Sequence, residues 1–215
     1  MAIPLVREED ASSETFLLKN YKGLVFDCDG TLVNSMEYYY NGWTPLYRKH
    51  GLNFTRQRFY TLAGVPVRQI IEIILGENKR CFDDKFVDSF LEEKKLINDI
   101  RRTNRDAPTE ITCVTKIVKQ LHGKIPMAVA SSGQKNLVQE DLTNHNLLKY
   151  FDTVVTVEDV ATGKPAPDLY LEACKRINVD PKNCIGFEDA VLGIQSLQSA
   201  NMDSVDVTKF KNYPN

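Results

Sequence analysis

Short apolar segments that alternate with helical patterns constrain the fold of this chain more than any other feature. Core strands are predicted at residues 23–29, 126–131, 152–157 and 183–187, with a further candidate at residues 204–207. Apolar side chains recur at helical spacing over residues 135–145, 168–177 and 190–200. Strands that alternate with helices indicate βαβ units and a parallel sheet. Since these strands are apolar throughout, both faces of the sheet should be covered, and the sequence predicts an α/β fold.

The stretch between residues 35 and 105 interrupts this alternation. It contains no convincing strand, and its aromatic and aliphatic residues follow helical spacing between breaks that contain glycine. We interpret this stretch as a helical cap that is inserted after the first strand and lies over the carboxyl ends of the strands. Residues 1–34 and 106–215 would then form the α/β core, and residues 35–105 the cap.

Two carboxylates, Asp27 and Asp29, leave the end of the first predicted strand, and Gly30 follows them directly. Because side chains alternate along a strand, these two acids should project to the same side and repel each other. A bound cation, or chemistry that uses both acids, would offset the repulsion. A strand followed by an ordinary Asp-Gly turn explains the same residues equally well.

Polar groups also follow the later strands, as Ser131-Ser132-Gly133, Lys164 and Glu188-Asp189. Each of them alone fits a simpler explanation: a serine helix cap, a solvated loop lysine, or acids at a helix start. In an open parallel sheet, however, ligands bind beyond the carboxyl ends of the strands, so all of these groups should meet. Together they suit a phosphate ester and Mg²⁺, which prefers carboxylate oxygens.

Composition narrows the classes of partner. The net charge is -2, from 27 basic and 29 acidic residues among 215, which argues against a nucleic-acid partner. No apolar run approaches membrane-spanning length, and we read the first 20 residues as a partly ordered lead-in without the order of a signal peptide. The odd number of cysteines without a CxxC pair predicts reduced thiols in a cytoplasmic protein.

In this order the motifs resemble those of the haloacid dehalogenase superfamily. The matching segments are 27–33 (DCDGTLV), 130–133 (ASSG), 164–168 (KPAPD) and 186–190 (GFEDA). The resemblance implies a Rossmann-like, three-layer core, and the helical block is similar to the small cap of the β-phosphoglucomutase and fructose-1-phosphate phosphatase-like branch. One departure is Asn34, which stands where the family's first motif usually has a further Asp.

The resemblance also implies roles for individual residues. Asp27 would be the nucleophile and a Mg²⁺ ligand, and Asp29 the general acid and base, with its backbone carbonyl on the metal. Asp189 would be the remaining protein ligand of Mg²⁺. The phosphoryl group would be held by Ser131, Ser132 and Lys164, and the metal site would be supported by Glu188 and Thr31. In the cap, Trp43 and Arg68 are candidates for contacting the substrate.

We therefore expect a Mg²⁺-dependent phosphatase that acts on a small phosphorylated metabolite such as a sugar phosphate, as a monomer or weak dimer. A phosphosugar mutase is the alternative within the same superfamily. The mutase-like members carry a cap histidine where this chain has Tyr38-Tyr39-Tyr40, which favours the phosphatase. A catalytically silent binding relative would be expected to lack some of the motif acids or the lysine, all of which are present here.

Overall fold

The structure, a computed structural model, describes residues 6–103 and 107–214. Its strands in chain order are β1 (Gly23–Phe26), β2 (Val33–Asn34), β3 (Thr109–Glu110), β4 (Met127–Ser131), β5 (Thr153–Thr156), β6 (Cys184–Glu188) and β7 (Asp203–Asp206). Five of them form one parallel sheet in the order β5-β4-β1-β6-β7, with β1 at the centre. Because the strands are parallel, their carboxyl ends share one edge of the sheet.

Helices connect these strands and flank the sheet. They are α1 (Glu8–Ala11), α2 (Glu14–Asn20), α3 (Met36–Lys49), α4 (Arg56–Thr61), α5 (Val67–Glu77), α6 (Asp84–Thr103), α7 (Thr112–Leu121), α8 (Lys135–Asn144), α9 (Asp168–Arg176) and α10 (Val191–Ser199). Among the described helices, none is both long and apolar enough to cross a membrane.

The central strand shows why the core segments are apolar at every position. Leu24 and Phe26 pack into a cluster with residues of α1, α2, α7 and α8, whereas Val25 packs with residues of α9 and α10 on the opposite face. All three side chains are fully buried. Burying a side chain of this size contributes roughly 1.5–3 kcal/mol, so each face of the strand supports one helical layer. The predicted three-layer, Rossmann-like α/β core is confirmed.

The first strand ends earlier than the sequence predicted. Residues 23–29 were expected to be extended, but β1 stops at Phe26. Asp27 still donates its backbone N–H to the Phe187 carbonyl at 3.0 Å, and the chain then turns. In that turn the Cys28 carbonyl accepts the N–H groups of Leu32 and Val33 at 2.9 and 3.0 Å. Asp29 therefore belongs to a loop rather than to the sheet.

The lead-in was predicted to be partly ordered, and residues 8–20 are an ordered part of it. They form α1 and α2, which bury Ala11 and Leu17 in the core. Ser13 caps α2 by accepting the Phe16 N–H at 3.3 Å. Both helices are too short to show a convincing apolar period, which explains why the sequence did not reveal them. Residues 1–5 lie outside the described residues.

Helices α3 to α6 enclose a hydrophobic cluster of their own, which contains fully buried side chains such as Ile71 and Ile74. The chain enters and leaves this region side by side, because β2 and β3 form an antiparallel pair that includes Asn34. The exact limits of core and cap, at 34/35 and 105/106, stay a prediction, and residues 104–106 lie outside the described residues.

The loop between α4 and α5 lies against the carboxyl edge of the sheet. A methyl group added at Gly64 would be 3.8 Å from the Lys164 and Leu192 side chains, and one at Gly163 would be 3.5 Å from Pro66. The helical region therefore contacts the loop that carries Lys164.

Candidate active site

A buried lysine joins two strand ends at the carboxyl edge. Lys164 places its Nζ 2.5 Å from Asp27 Oδ1, just beyond β1, and 2.6 Å from Glu188 Oε1, the last residue of β6. All three side chains are almost completely buried. Charges at such depth are tolerated only when they are paired. Although burial lowers the pKa of Lys164, the charges of Asp27 and Glu188 raise it well above its usual value, so the lysine remains an ammonium.

Glu188 has all of its hydrogen-bond partners within the protein. Besides Lys164, its Oε1 accepts the hydroxyl of Tyr170 at 3.0 Å, and its Oε2 accepts the backbone N–H of Ala190 at 2.8 Å. A methyl group added at Gly193 would lie 1.8 Å from Oε1, so only glycine fits beside this carboxylate. Glu188 is therefore fixed in one orientation.

Asp189 has fewer partners. Within residues 6–103 and 107–214, the hydrogen-bond donor to this carboxylate is Thr31, whose hydroxyl lies 3.1 Å from Oδ1. Gly30 approaches the other oxygen so closely that an added methyl group would be 2.2 Å from Oδ2, and its φ of 89° also favours glycine. Burial, followed by the charges of Glu188 and Asp27, raises the pKa of Asp189 well above its ordinary value.

The three carboxylates Asp27, Glu188 and Asp189 form a cluster. Each offers one oxygen, and these oxygens all lie within 4.8 Å of one another. Burial, together with the charges of Glu188 and Asp29, raises the pKa of Asp27 to about 8 against the opposing effect of Lys164. An oxygen-only set of crowded acids fits a hard divalent cation, because such an ion removes the repulsion between them.

The turn after β4 lies next to Asp29. Ser131 is fully buried at the end of β4, and its Oγ accepts the Gly133 N–H at 2.9 Å. Asp29 accepts the Ser35 hydroxyl at 2.6 Å, and its Oδ2 would be 3.4 Å from a methyl group added at Gly133. Ser132 has a buried Oγ without a hydrogen-bond partner among the described residues. A polar ligand that enters here could satisfy this hydroxyl.

The two cap candidates occupy different places. Trp43 is buried in the helical cluster, where the Lys94 Nζ lies 4.4 Å from its ring centre, and its Nε1 has no partner within the described part of the chain. Arg68 is ion-paired with Asp88 and lies 3.5 Å from Asp84, both on α6, and its side chain is 41% exposed. The contacts of Arg68 tie α5 to α6 and do not bring it to the carboxylate cluster.

Sequence reasoning missed two of the residues that orient these acids. Tyr170 was counted among the apolar positions of its helix, and Ser35 was given no role. A tyrosine in place of a phenylalanine at a fully buried position is a usable signal, because a buried hydroxyl normally has a partner. Ser35 offers no such signal, since its contact with Asp29 depends on how the intervening turn folds.

Comparisons with known proteins agree with this geometry. Residues 24–207 match the family model described as haloacid dehalogenase-like hydrolase. Fructose-1-phosphate phosphatase from Escherichia coli is 33% identical over 191 residues, which cover 89% of this chain and 98% of that protein. Beta-phosphoglucomutase from Bacillus subtilis is 28% identical, with 86% and 83% covered. Among solved structures, β-phosphoglucomutase from Clostridium difficile superposes with a TM-score of 0.77 at 24% identity, covering 88% of each chain, which shows a shared fold.

Proposed function

This chain belongs to the haloacid dehalogenase-like hydrolases, and from that premise we propose that it is a Mg²⁺-dependent phosphatase of a small phosphorylated sugar. The observation that carries the proposal is the buried Lys164 between Asp27 and Glu188, with Asp189 beside them. A dianionic phosphoryl group needs positive charge and a carboxylate nucleophile in one dry site, and this arrangement would supply both.

In the proposed reaction, a carboxylate oxygen of Asp27 attacks phosphorus while the bond from phosphorus to the sugar oxygen breaks. Asp29 gives its proton to the departing sugar oxygen. Asp29 then takes a proton from water, the water oxygen attacks the aspartyl-phosphate, and phosphate leaves with Asp27 restored. We assign the holding of phosphoryl oxygens to Lys164, Ser131 and Ser132. The buried Ser132 Oγ without a described partner supports its place in this set.

We further propose that Mg²⁺ is held by the carboxylates of Asp27 and Asp189 and by the backbone carbonyl of Asp29. When bound, the ion would neutralise the clustered acids and the negative charge of the phosphoryl group. Glu188, already engaged by three donors, supports the site by orienting Lys164. Thr31 would keep Asp189 aligned through the hydrogen bond to Oδ1.

Selection of the sugar is proposed to occur at the helical region, taken as residues 35–105. The buried Nε1 of Trp43 without a described partner supports a contact with the leaving group. Arg68 stays a prediction and would first have to leave its acidic partners on α6. A cytoplasmic location, a monomeric or weakly dimeric state and the absence of nucleic-acid partners also stay predictions.

The test is phosphate release from a panel of sugar phosphates that includes fructose 1-phosphate, with Mg²⁺ and with a chelator. We expect turnover with Mg²⁺, none for Asp27→Asn, and normal turnover for the exposed control Asp99→Asn. Acid-trapped protein should carry phosphate on Asp27. A turnover by Asp27→Asn close to that of the wild type would contradict the proposal.

A phosphosugar mutase is the second candidate, because a mutase is among the relatives. The same panel decides between the two, since a mutase converts glucose 1-phosphate to its isomer faster than it releases inorganic phosphate. Product isomers are measured by NMR in the same reactions.

A further inference from the structure

The segment that follows β7 runs back across the carboxyl edge of the sheet. Val207 and Phe210 are buried in the core cluster, which anchors the start of the segment. The Lys211 backbone N–H donates to Glu8 Oε1 at 2.7 Å, and the Tyr213 N–H donates to the Phe210 carbonyl at 2.9 Å. These contacts hold residues 207–213 in a defined path against α1 and the core.

At the end of this path, the hydroxyl of Tyr213 donates a hydrogen bond of 2.6 Å to the backbone carbonyl of Gly30. Burial raises the pKa of Tyr213 strongly, and the carboxylates of Asp189 and Asp27 raise it further. The phenol therefore stays protonated and remains a donor. Its ring also packs against the core cluster, so the hydroxyl is delivered from a fixed position.

Gly30 occupies the turn between the two acids of the first motif and Thr31. Its N–H donates to the Val33 carbonyl at 2.8 Å, and its α-carbon lies tightly against Asp189. Because a peptide unit is planar, fixing the Gly30 carbonyl also fixes the N–H of Thr31, whose hydroxyl donates to Asp189. The same turn carries Asp29. One hydrogen bond to the Gly30 carbonyl therefore restrains the turn that positions both Asp29 and Asp189.

We propose that Tyr213 is a positioning residue: its hydroxyl holds the Gly30 carbonyl and thereby keeps Asp29 and Asp189 aligned for phosphoryl transfer. The inference rests on the proposed function. Tyr213 acts through the turn and has no contact with the reacting atoms.

The test compares Tyr213→Phe with the matched control Tyr21→Phe. Tyr21 is buried, whereas Tyr213 is half-buried, and like Tyr213 it donates one hydrogen bond, which runs over 2.8 Å to Asp203 at the opposite end of β7. A net hydrogen bond corresponds to a factor of roughly 5 to 10, so we expect kcat to fall by about that factor in Tyr213→Phe, with KM changed by less than about twofold. Tyr21→Phe should keep the wild-type kcat at a temperature where both variants are folded.

Hydrogen exchange supplies a readout that does not depend on activity. The amides of residues 30–33 should exchange about 5 to 10 times faster in Tyr213→Phe, and at the wild-type rate in Tyr21→Phe. Equal exchange and equal kcat in the two variants would overturn the inference while leaving the phosphatase intact. If the wild type releases no phosphate from any ester, the proposed function fails, and exchange alone decides the role of Tyr213.

Should Tyr213→Phe fail to fold, Glu8→Ala takes its place. This variant leaves the phenol intact and removes the acceptor of the Lys211 N–H, which loosens the segment that carries Tyr213. Faster exchange confined to residues 207–214 and 30–33 supports the inference, and exchange that changes only in residues 207–214 overturns it.

Discussion

Replacing Tyr170 by phenylalanine removes a single hydroxyl group from the centre of the buried ion cluster. That hydroxyl donates to Glu188 Oε1 at 3.0 Å, and both residues are almost completely inaccessible to solvent. A net hydrogen bond to a charged group contributes about 1.5–3 kcal/mol, so we expect the free energy of unfolding to fall by about 2 kcal/mol. For a protein of this size, such a loss lowers Tm by about 4–8 °C.

The assay is thermal unfolding followed by circular dichroism, with Tyr47→Phe as the control. Tyr47 is 1% exposed and its ring stacks on Phe54, and the hydrogen bonds of the described residues include none to its hydroxyl. The control should therefore melt within about 1 °C of the wild type, since no hydrogen bond is lost. If Tyr170→Phe melts at the same temperature as the control, the hydroxyl contributes nothing to holding Glu188, and the reasoning fails.

Other replacements test the remaining parts of the site. Lys164→Met leaves buried carboxylates without their cation, so it should lower the free energy of unfolding by about 3–5 kcal/mol. A decrease below about 1 kcal/mol, measured by urea unfolding, would contradict the ion cluster. Gly30→Ala should be less stable than Gly123→Ala, because both glycines have positive φ but only a methyl group at Gly30 would meet the Asp189 carboxylate. Equal midpoints of urea unfolding for the two variants would argue against this contact. Mg²⁺ at about 100 times its Kd should add about 2.7 kcal/mol to the wild type and little to Asp189→Asn, as read from Tm with Mg²⁺ and with a chelator. A full shift in Asp189→Asn would remove Asp189 from the metal site.

Most of the core could be predicted from the sequence, because strands that are buried on both faces appear as continuous apolar runs. The predicted segment at residues 152–157 contains β5, Thr153–Thr156, and the predicted helix over residues 168–177 matches α9, Asp168–Arg176. The β2–β3 pair could not be found in this way, since each strand has two residues and its partner lies on the far side of the helical insertion. The superfamily resemblance drawn from the motifs is confirmed by the family match over residues 24–207.

The candidate site could be predicted from the sequence only in part, for a physical reason. Asp27, Glu188 and Asp189 lie at the carboxyl ends of the neighbouring strands β1 and β6, so the parallel sheet itself brings them together. Lys164 reaches them from the loop between β5 and α9. Contacts that orient them depend on loop paths instead. The hydrogen bond from Tyr213 to Gly30 joins residues 183 positions apart, and no local sequence pattern predicts it.

The net charge of the cluster suits a divalent cation. Asp27, Glu188 and Asp189 carry three negative charges when ionised, and Lys164 carries one positive charge, which leaves an excess of two negative charges. A bound divalent cation would balance this excess. Without it, burial and the charges of the neighbouring carboxylates raise the pKa of Asp27 to about 8, and the ion pair with Lys164 opposes this shift only in part. A protonated Asp27 is a poor nucleophile, so the proposed phosphatase should depend on the metal for the charge state of its own side chain as well as for that of the substrate.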